Sequence, residues 1–443
     1  MNMFNDVTAI ILAAGDSTRL WPIPDKLFLE FRGIPLLQYS VDQLKKIGIK
    51  NFIIVANKNN FADCQKLVEA NLTVSLKIVK QQSNLGMAGA ILASSKEVET
   101  KKILVVGPSD IVEEYLLSEF KDLYQQNPDG IFVGKLIGDN KPFGYYTVEG
   151  STVKGIVEKP SFSGANSKIA AIVFDYYKNG NQLFEAINKS SSATDDLYEQ
   201  AKTKLIDSGL QFKLLSYNGY WGYLKFPWHV LPVSSYFLAR IKKTEIKKAK
   251  IDKTVKIIGN VFIDDEVRIL EGVKIVGPTS IGKGAVIGQN SLIRESEIGA
   301  GSVVGFNTEI TRSYIGNFCW FHHNYIGDSV ILDNVAFGFG AVVANYRFDG
   351  ATIYSKVNSV KIDTSRTKLG CIVGEAARIG VNVSIMPGIK IGSHTFIGSS
   401  VIVSEDLPDN KFIEYQKKIT RIVDNRVNRK TGNIEDNRKK MNF

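Results

Sequence analysis

The segment LAAGDSTRLWPIPDK (residues 12–26) sets a glycine-bearing loop directly after an apolar run. Backbone N–H groups of such a loop can cradle phosphates, with Arg19 and Lys26 to neutralise them. Arginine suits a bidentate phosphate grip, whereas lysine acts as a mobile point charge. The spacing matches neither a P-loop nor the dinucleotide fingerprint. A second chemically rich stretch lies between residues 311 and 372, where CWFHHNYIGDS and ANYRFDG bring histidines, aromatics, asparagines and basic residues together. The three cysteines, Cys64, Cys319 and Cys371, are odd in number and far apart. They imply a reducing, cytoplasmic setting and neither a disulfide framework nor a zinc site.

The elements that must carry these residues divide the chain in two. In the first half VTAIILAAG, NFIIVAN, KILVVG and GIFVGKL are buried-strand candidates. Helical patterns alternate with them, such as LLQYSVDQLKKIG, whose Gly48 suits a C-cap. Strands alternating with helices predict an α/β domain with a mostly parallel sheet covered on both faces. Residues 230–250 read as a helical linker. Beyond it isoleucine recurs at 251, 257, 263, 269, 275, 281, 287 and 293, a period of six. The register then slips, and a second run follows at Val373, Ile379, Ile385, Ile391, Ile397 and Val403. A six-residue period fits a solenoid whose every sixth residue points inward while small residues turn the corners. Residues 311–372 are expected to interrupt that solenoid, and such excursions are where sites are built.

Composition narrows the function class. The chain has 443 residues, 44% hydrophobic and 23% charged, with 38 glycines, so it is neither disordered nor a disulfide-dense miniprotein. Length alone calls for two or three domains. No apolar run approaches the roughly 18 residues of a membrane span, and TAIILAA lacks the basic flank of a secretory leader. The net charge of +10 is concentrated: residues 240–250 carry +5 and residues 411–443 carry +6, leaving −1 elsewhere. Charge in one junction and one tail describes solvated surface, so no nucleic-acid partner and no membrane are expected.

With its context, the first motif is similar to that of the sugar-phosphate nucleotidylyltransferase family over residues 7–235. The family signature is LAAG-x-G-T-R followed by a proline and a lysine. The resemblance assigns Gly15 and Arg19 to the triphosphate loop and Lys26 to the reacting phosphates. Gln81 and Gly86, in QQSNLGMAGA, fall to base recognition. Asp110 becomes a Mg²⁺ ligand, and Gly144, Glu158 and Lys159 become sugar and sugar-phosphate contacts. Departures are specific: Ser17 replaces a glycine, Asp25 a proline, and Met87 a common threonine. Ile169 stands where many members have an asparagine. Tyr223 replaces the second metal-binding aspartate of W-x-D, and Asp195 or Asp196 is the candidate to compensate.

The hexapeptide half resembles left-handed β-helix acyltransferases. The pairing of halves resembles bifunctional glucosamine-1-phosphate acetyltransferase/N-acetylglucosamine-1-phosphate uridylyltransferases, archaeal type in particular. The implied fold is a Rossmann-like nucleotidylyltransferase domain (1–229), the linker (230–250), a left-handed parallel β-helix (251–404) and a basic tail (405–443). The resemblance makes His323 the general base toward a substrate amine, with His322 as its rival. Tyr325, Asn345 and Tyr346 become sugar-phosphate contacts, while Arg366 and Lys368 become phosphate ligands. Ala336 departs from an asparagine of the bacterial enzymes. The implied substrates are an NTP, a sugar-1-phosphate and acetyl-CoA, and the implied assembly is a homotrimer. Two other readings share some of these residues: a monofunctional nucleotidylyltransferase for glucose- or mannose-1-phosphate, and a non-catalytic regulator resembling subunits of translation initiation factor 2B.

Overall fold

The computed structural model describes residues 3–69, 71, 73–82, 85–138, 143–158, 168–192 and 194–414. It forms two units: Met1–Asp16 with Pro35–Tyr223, and Ser17–Ile34 with Leu224–Phe443.

In the first unit the four apolar runs form the strands Val7–Ala13, Asn51–Ala56, Lys102–Val106 and Gly130–Leu136. Among the described residues a nine-stranded sheet runs Ser75–Lys80, Asn51–Ala56, Val7–Ala13, Lys102–Val106, Ile169–Tyr177, Gly130–Leu136, Phe212–Ser216, Thr152–Glu158, Gly144–Glu149. The first four strands are parallel, and Val7–Ala13 is buried almost throughout, as a strand paired on both edges and covered on both faces must be. The other half is mixed, because Ile169–Tyr177 enters antiparallel to both its main neighbours. The mostly parallel expectation therefore holds for the nucleotide-loop half. Helix Leu36–Lys46 ends as read, with Gly48 at φ +97 and its N–H on the Lys45 carbonyl. At the centre of the mixed half lies a buried ion pair. The Lys202 ammonium sits 2.5 Å from Asp175, whose carboxylate also accepts from Tyr198 (2.8 Å) and Tyr146 (3.3 Å). Those hydroxyls offset the desolvation that makes an isolated buried pair costly.

In the second unit three parallel sheets stack coil on coil as a left-handed β-helix. Ile251, Ile269, Ile287, Val304, Phe321, Phe337, Ile379 and Ile397 lie directly above one another on the inside of one sheet. The slip in period has a simple cause. Successive coils take 18 residues to Ile287, then 17 to Val304, 17 to Phe321 and 16 to Phe337. Residues 311–343 therefore remain in the solenoid, with strands Tyr314–Ile315, Trp320–Phe321, Tyr325–Gly327, Val330–Ile331, Ala336–Phe337 and Val342–Val343. This corrects the expected interruption. The true excursion leaves after Val343 and returns at Cys371, carrying the hairpin Tyr354–Val357 with Val360–Asp363. Helix occupies only Val230–Ala239 of the connection, since Glu245–Ile246 and Lys250–Ile251 already pair into the first coil.

One sheet of the β-helix turns its outer face inward to the unit. Glu297, Tyr314 and Lys390 point away from the aliphatic core yet are buried. Phe31 stacks on Phe237 (ring centroids 4.9 Å) and tilts against Tyr314 (5.7 Å). Glu297 accepts from the Arg32 backbone N–H and from the Ser234 hydroxyl at 3.2 Å. Segment Ser17–Ile34 and helix Val230–Ala239 thus cover that face around Glu297 and Tyr314.

Burial lifts the Glu297 carboxyl from 4.5 to about 7. Between those values the folded protein keeps a proton that the unfolded chain has released. The stability linked to this group is therefore full below pH 4.5 and is lost as pH rises through 7. Glu297→Gln mimics the protonated form. It is expected to be near neutral at about pH 5 and to stabilise by up to about 3 kcal/mol at about pH 8.5 in urea unfolding. Equal effects at both pH values would contradict this.

Candidate functional site

Each unit gathers its own set of chemically capable residues. In the first, strand Val7–Ala13 delivers Gly15, and the loop is held from one side. Asn60 Nδ2 donates to the Ala13 carbonyl at 2.9 Å, and Asn57 Nδ2 reaches the carbonyls of Ala14 and Gly15, both at 3.3 Å. A Cβ added at Gly15 would meet nothing within 4 Å, so this side stays open to a ligand. Gln81 follows strand Ser75–Lys80, and its Nε2 donates to the Gly86 carbonyl at 3.1 Å. Gly86 opens helix Gly86–Ser94 at φ +54, and a Cβ there would fall 2.0 Å from Asp195 Oδ1. The structure thus brings Gln81, Gly86 and Asp195 together. Gly144 and Glu158 are joined as well: they pair across adjacent strands, and a Cβ on Gly144 would lie 3.0 Å from Glu158 Oε2. Lys159 lies outside the described residues.

Asp110 opens the short strand Asp110–Val112, which pairs antiparallel with Trp221–Tyr223. Its Oδ1 accepts from Trp221 Nε1 at 2.9 Å and its Oδ2 from the Val173 N–H at 3.2 Å. Tyr223 stands directly opposite Asp110 in the register. Cross-strand partners bring their Cβ atoms to about 5 Å. The position expected to hold a second carboxylate is thus beside the first, and a phenol fills it. Among the described residues no three His, Cys, Asp or Glu side chains gather as a metal cage. One carboxylate suits a hard cation that keeps its waters and phosphate oxygens, as Mg²⁺ does.

Arg19 and Lys26 lie on two short 3₁₀ turns, Thr18–Leu20 and Lys26–Phe28, within the second unit. Two departures in this segment have local reasons. Ser17 adopts the left-handed conformation a glycine would take, at φ +53. Asp25 replaces a proline but caps the next turn, accepting the Leu27 N–H at 2.9 Å.

The β-helix builds its set on one coil. Gly288, Gly305, Gly338 and Gly380 occupy the same corner in four other coils, where an added Cβ would come 2.4 to 2.8 Å from backbone of the following coil. In the coil Trp320–Phe321 that corner holds His322, which is exposed and whose ring lies 6.4 Å from Trp320. His323 follows, half-buried. Its ring stacks on Phe339 (5.2 Å) and tilts toward Phe306 (5.9 Å), the corresponding positions one coil away on each side. Its Nδ1 is buried without a hydrogen-bond partner.

On the next face Asp328, nearly inaccessible, takes a bidentate grip from Arg312 Nε and Nη2, both at 2.8 Å. Asn345 Nδ2 donates to Asp328 Oδ2 at 2.6 Å and to the Tyr325 hydroxyl at 3.2 Å. The residues Tyr346 and Lys368 form a backbone bridge, and the Leu369 N–H returns to the Asn345 carbonyl at 3.0 Å, closing the root of the excursion. Arg366 Nε donates to the Lys368 carbonyl at 3.1 Å, and burial lowers its pKa while Asp328 raises it. Tyr325, Asn345 and Arg366 therefore share one charged cluster. Sequence reading missed Arg312. It sits one coil, 16 residues, before Asp328 in the same corner, and both adopt positive φ (+48 and +50). A coil-length offset was the signal that pointed to it.

The Nucleotidyl transferase family matches residues 8–222. Over 419 residues the chain is 30% identical to a bifunctional sugar-1-phosphate nucleotidylyltransferase/acetyltransferase of Sulfurisphaera tokodaii, covering 92% of this chain and 99% of that protein. It is 29% identical to the bifunctional protein GlmU of Methanococcus vannielii over 427 residues, with 92% and 97% covered. The same identity holds to the bifunctional protein GlmU of Methanocaldococcus jannaschii over 432 residues, with 91% and 97% covered.

Proposed function

The chain belongs to the family of bifunctional sugar-1-phosphate nucleotidylyltransferases/acetyltransferases, and from that premise we propose that it makes a UDP-N-acetyl-hexosamine in two steps. In the β-helix the amine of glucosamine-1-phosphate or galactosamine-1-phosphate attacks the thioester carbonyl of acetyl-CoA. The amine proton passes to an imidazole and CoA leaves as the thiol. In the N-terminal domain, an oxygen of the sugar-1-phosphate attacks the α-phosphorus of an NTP, and pyrophosphate departs. The observation that carries this reading is the coil from Trp320 to Asp328. It carries His322 on a corner that other coils keep as glycine, with His323 following, and ends in the Asp328 that joins Arg312 and Asn345. A β-helix serving only for assembly leaves that coil unexplained.

Imidazole is the side chain whose protonation range matches an amine deprotonation near neutral pH. We assign the base to His323, whose ring is held between Phe339 and Phe306. Tyr325, Asn345, Tyr346, Arg366 and Lys368 orient the sugar phosphate, and Arg312 adds a guanidinium to that set. In the other half Gly15, Arg19 and Lys26 bind the triphosphate, Gln81 and Gly86 the base, and Gly144, Glu158 and Lys159 the sugar. Asp110 would hold Mg²⁺, which supplies charge neutralisation on the nucleotide phosphates. The rest is positioning by the chain's own cations and amides.

A homotrimer joined through the β-helices is part of this reading. Trp320, Phe396 and Phe412 stand on one outer sheet face at 51%, 45% and 70% exposure, and such an assembly would cover them. Among the described residues no helix is long and apolar enough to cross a membrane. Three unpaired, buried cysteines accord with the cytoplasm.

Four outcomes are expected. Incubation with acetyl-CoA, a hexosamine-1-phosphate, UTP and Mg²⁺ should yield both free thiol and pyrophosphate. In that assay His323→Ala should lower thiol release about 10²–10⁴-fold while sparing pyrophosphate release. A larger loss in His322→Ala transfers the role to the corner residue. Tyr223→Asp should lower the Mg²⁺ concentration for half-maximal pyrophosphate release, because it restores a carboxylate beside Asp110; an unchanged requirement removes Tyr223 from the metal. Light scattering should give three times the chain mass, and a stable monomer would end the trimer reading.

A further inference from the structure

We propose that Trp21 and Asp409 are positioning residues for nucleotidyl transfer, fastening the segment that carries Arg19 and Lys26 to the last coils of the β-helix. The inference rests on the reading of Arg19 and Lys26 as phosphate-handling groups. Segment Ser17–Ile34 is tied down at two places. Near its far end Glu30 Oε2 accepts from Asn317 Nδ2 at 3.0 Å, the Arg32 N–H reaches Glu297, and the Arg32 guanidinium lies 5.3 Å from the Phe262 ring. Near its start the Trp21 indole N–H points between the two oxygens of Asp409, at 3.1 and 3.2 Å. Arg19 lies two residues before that clamp, and Lys26 lies between the two ties.

The Trp21 clamp is built from fixed parts. Asp409 Oδ1 also accepts the Ser393 N–H at 2.7 Å, which holds the carboxylate to the coil beneath it. The Lys390 ammonium sits 5.5 Å from the Trp21 ring centroid and is itself pinned by Asp406 and the Lys356 carbonyl, the latter at 2.6 Å. A cavity of about 320 Å³ opens alongside, lined by Trp21, Lys356, Lys390 and Asp409. The indole is therefore only half-buried, and its position depends on the charge-assisted hydrogen bond and the cation more than on close packing. Among the described residues no hydrogen bond or ion pair joins Trp21, Asp409 or Lys390 to Tyr325, Asp328, Asn345 or Arg366. Loosening Trp21 should thus act on nucleotide binding and leave acetylation alone.

The test uses the full-length protein and follows pyrophosphate release with varied UTP, together with thiol release and thermal unfolding. Asp409→Ala is expected to raise the UTP KM about five- to tenfold with kcat changed less than about twofold. Thiol release and unfolding temperature should stay near wild type. Asp409→Asn keeps an acceptor oxygen for the indole and should recover most of the lost affinity. Trp21→Phe should resemble Asp409→Ala, and combining the two should add little. Unchanged UTP KM in both variants, with Lys26→Ala abolishing pyrophosphate release, overturns the positioning role alone. If Lys26→Ala leaves pyrophosphate release intact, the underlying assignment of the segment has failed. Equal loss of both activities with a lowered unfolding temperature makes the contact merely structural and also overturns the proposal.

Discussion

Stacking in the β-helix demands that each inward residue sit directly over the one in the coil below, from Ile251 through Phe321 to Ile397. Parallel in-register pairing at about 4.8 Å leaves those positions no freedom of chemistry. The corners are nearly as restricted, because a Cβ at Gly305 or Gly338 would run into the following coil. Polar function is thereby pushed to outward positions and to the few corners where the path is altered. The shortened coils around Trp320 are such a place, and His322, Tyr325, Arg312 and Asp328 all occur there. The same periodic constraint makes charged groups from different coils neighbours, which is how Arg312 meets Asp328.

The outward face of one sheet shows what happens when a coil surface is covered. Glu297 would be an unremarkable exposed carboxylate on a bare β-helix. Beneath Phe31 and helix Val230–Ala239 it becomes a buried acceptor for Arg32 and Ser234, with its proton affinity raised accordingly. The nucleotide-motif segment and the β-helix thus share one packed interior within the second unit. That makes the bifunctional chain more than two enzymes in tandem, since part of one motif is built into the other's scaffold.

Much of this was legible in the residues. The six-residue isoleucine period announces the solenoid, and the four apolar runs of the first half mark four of the nine strands of its sheet. Residues 311–343 hid because coils of 17 and 16 residues break a fixed period while keeping the stacking. The motif spelling linked Asp110 to Tyr223, and the two do face each other across a ribbon. Arg312 was missed, because only a coil-length offset ties it to its partner Asp328 in the next coil. Nor was the lodging of Ser17–Ile34, whose contacts at Glu297, Asn317 and Asp409 lie more than 260 residues away. Motif reading identifies groups by local spelling; long-range packing is written in residues that look like ordinary surface.

The lysine-rich junction takes on a different meaning once its strands are seen. Glu245–Ile246, Lys250–Ile251 and Lys256–Ile258 are the outermost rungs of their three sheets, with an unpaired edge of N–H and C=O groups. An open end of a solenoid is a template on which another molecule's end can continue the ladder. Lys242, Lys243, Lys248 and Lys250 are exposed around it, so two such ends approach as like charges. That repulsion is screened within about 8 Å at physiological ionic strength and within about 3 Å at 1 M salt. Like charge is thus one guard against fibre-like end-to-end growth of the β-helix at this terminus, and concentrated salt weakens it.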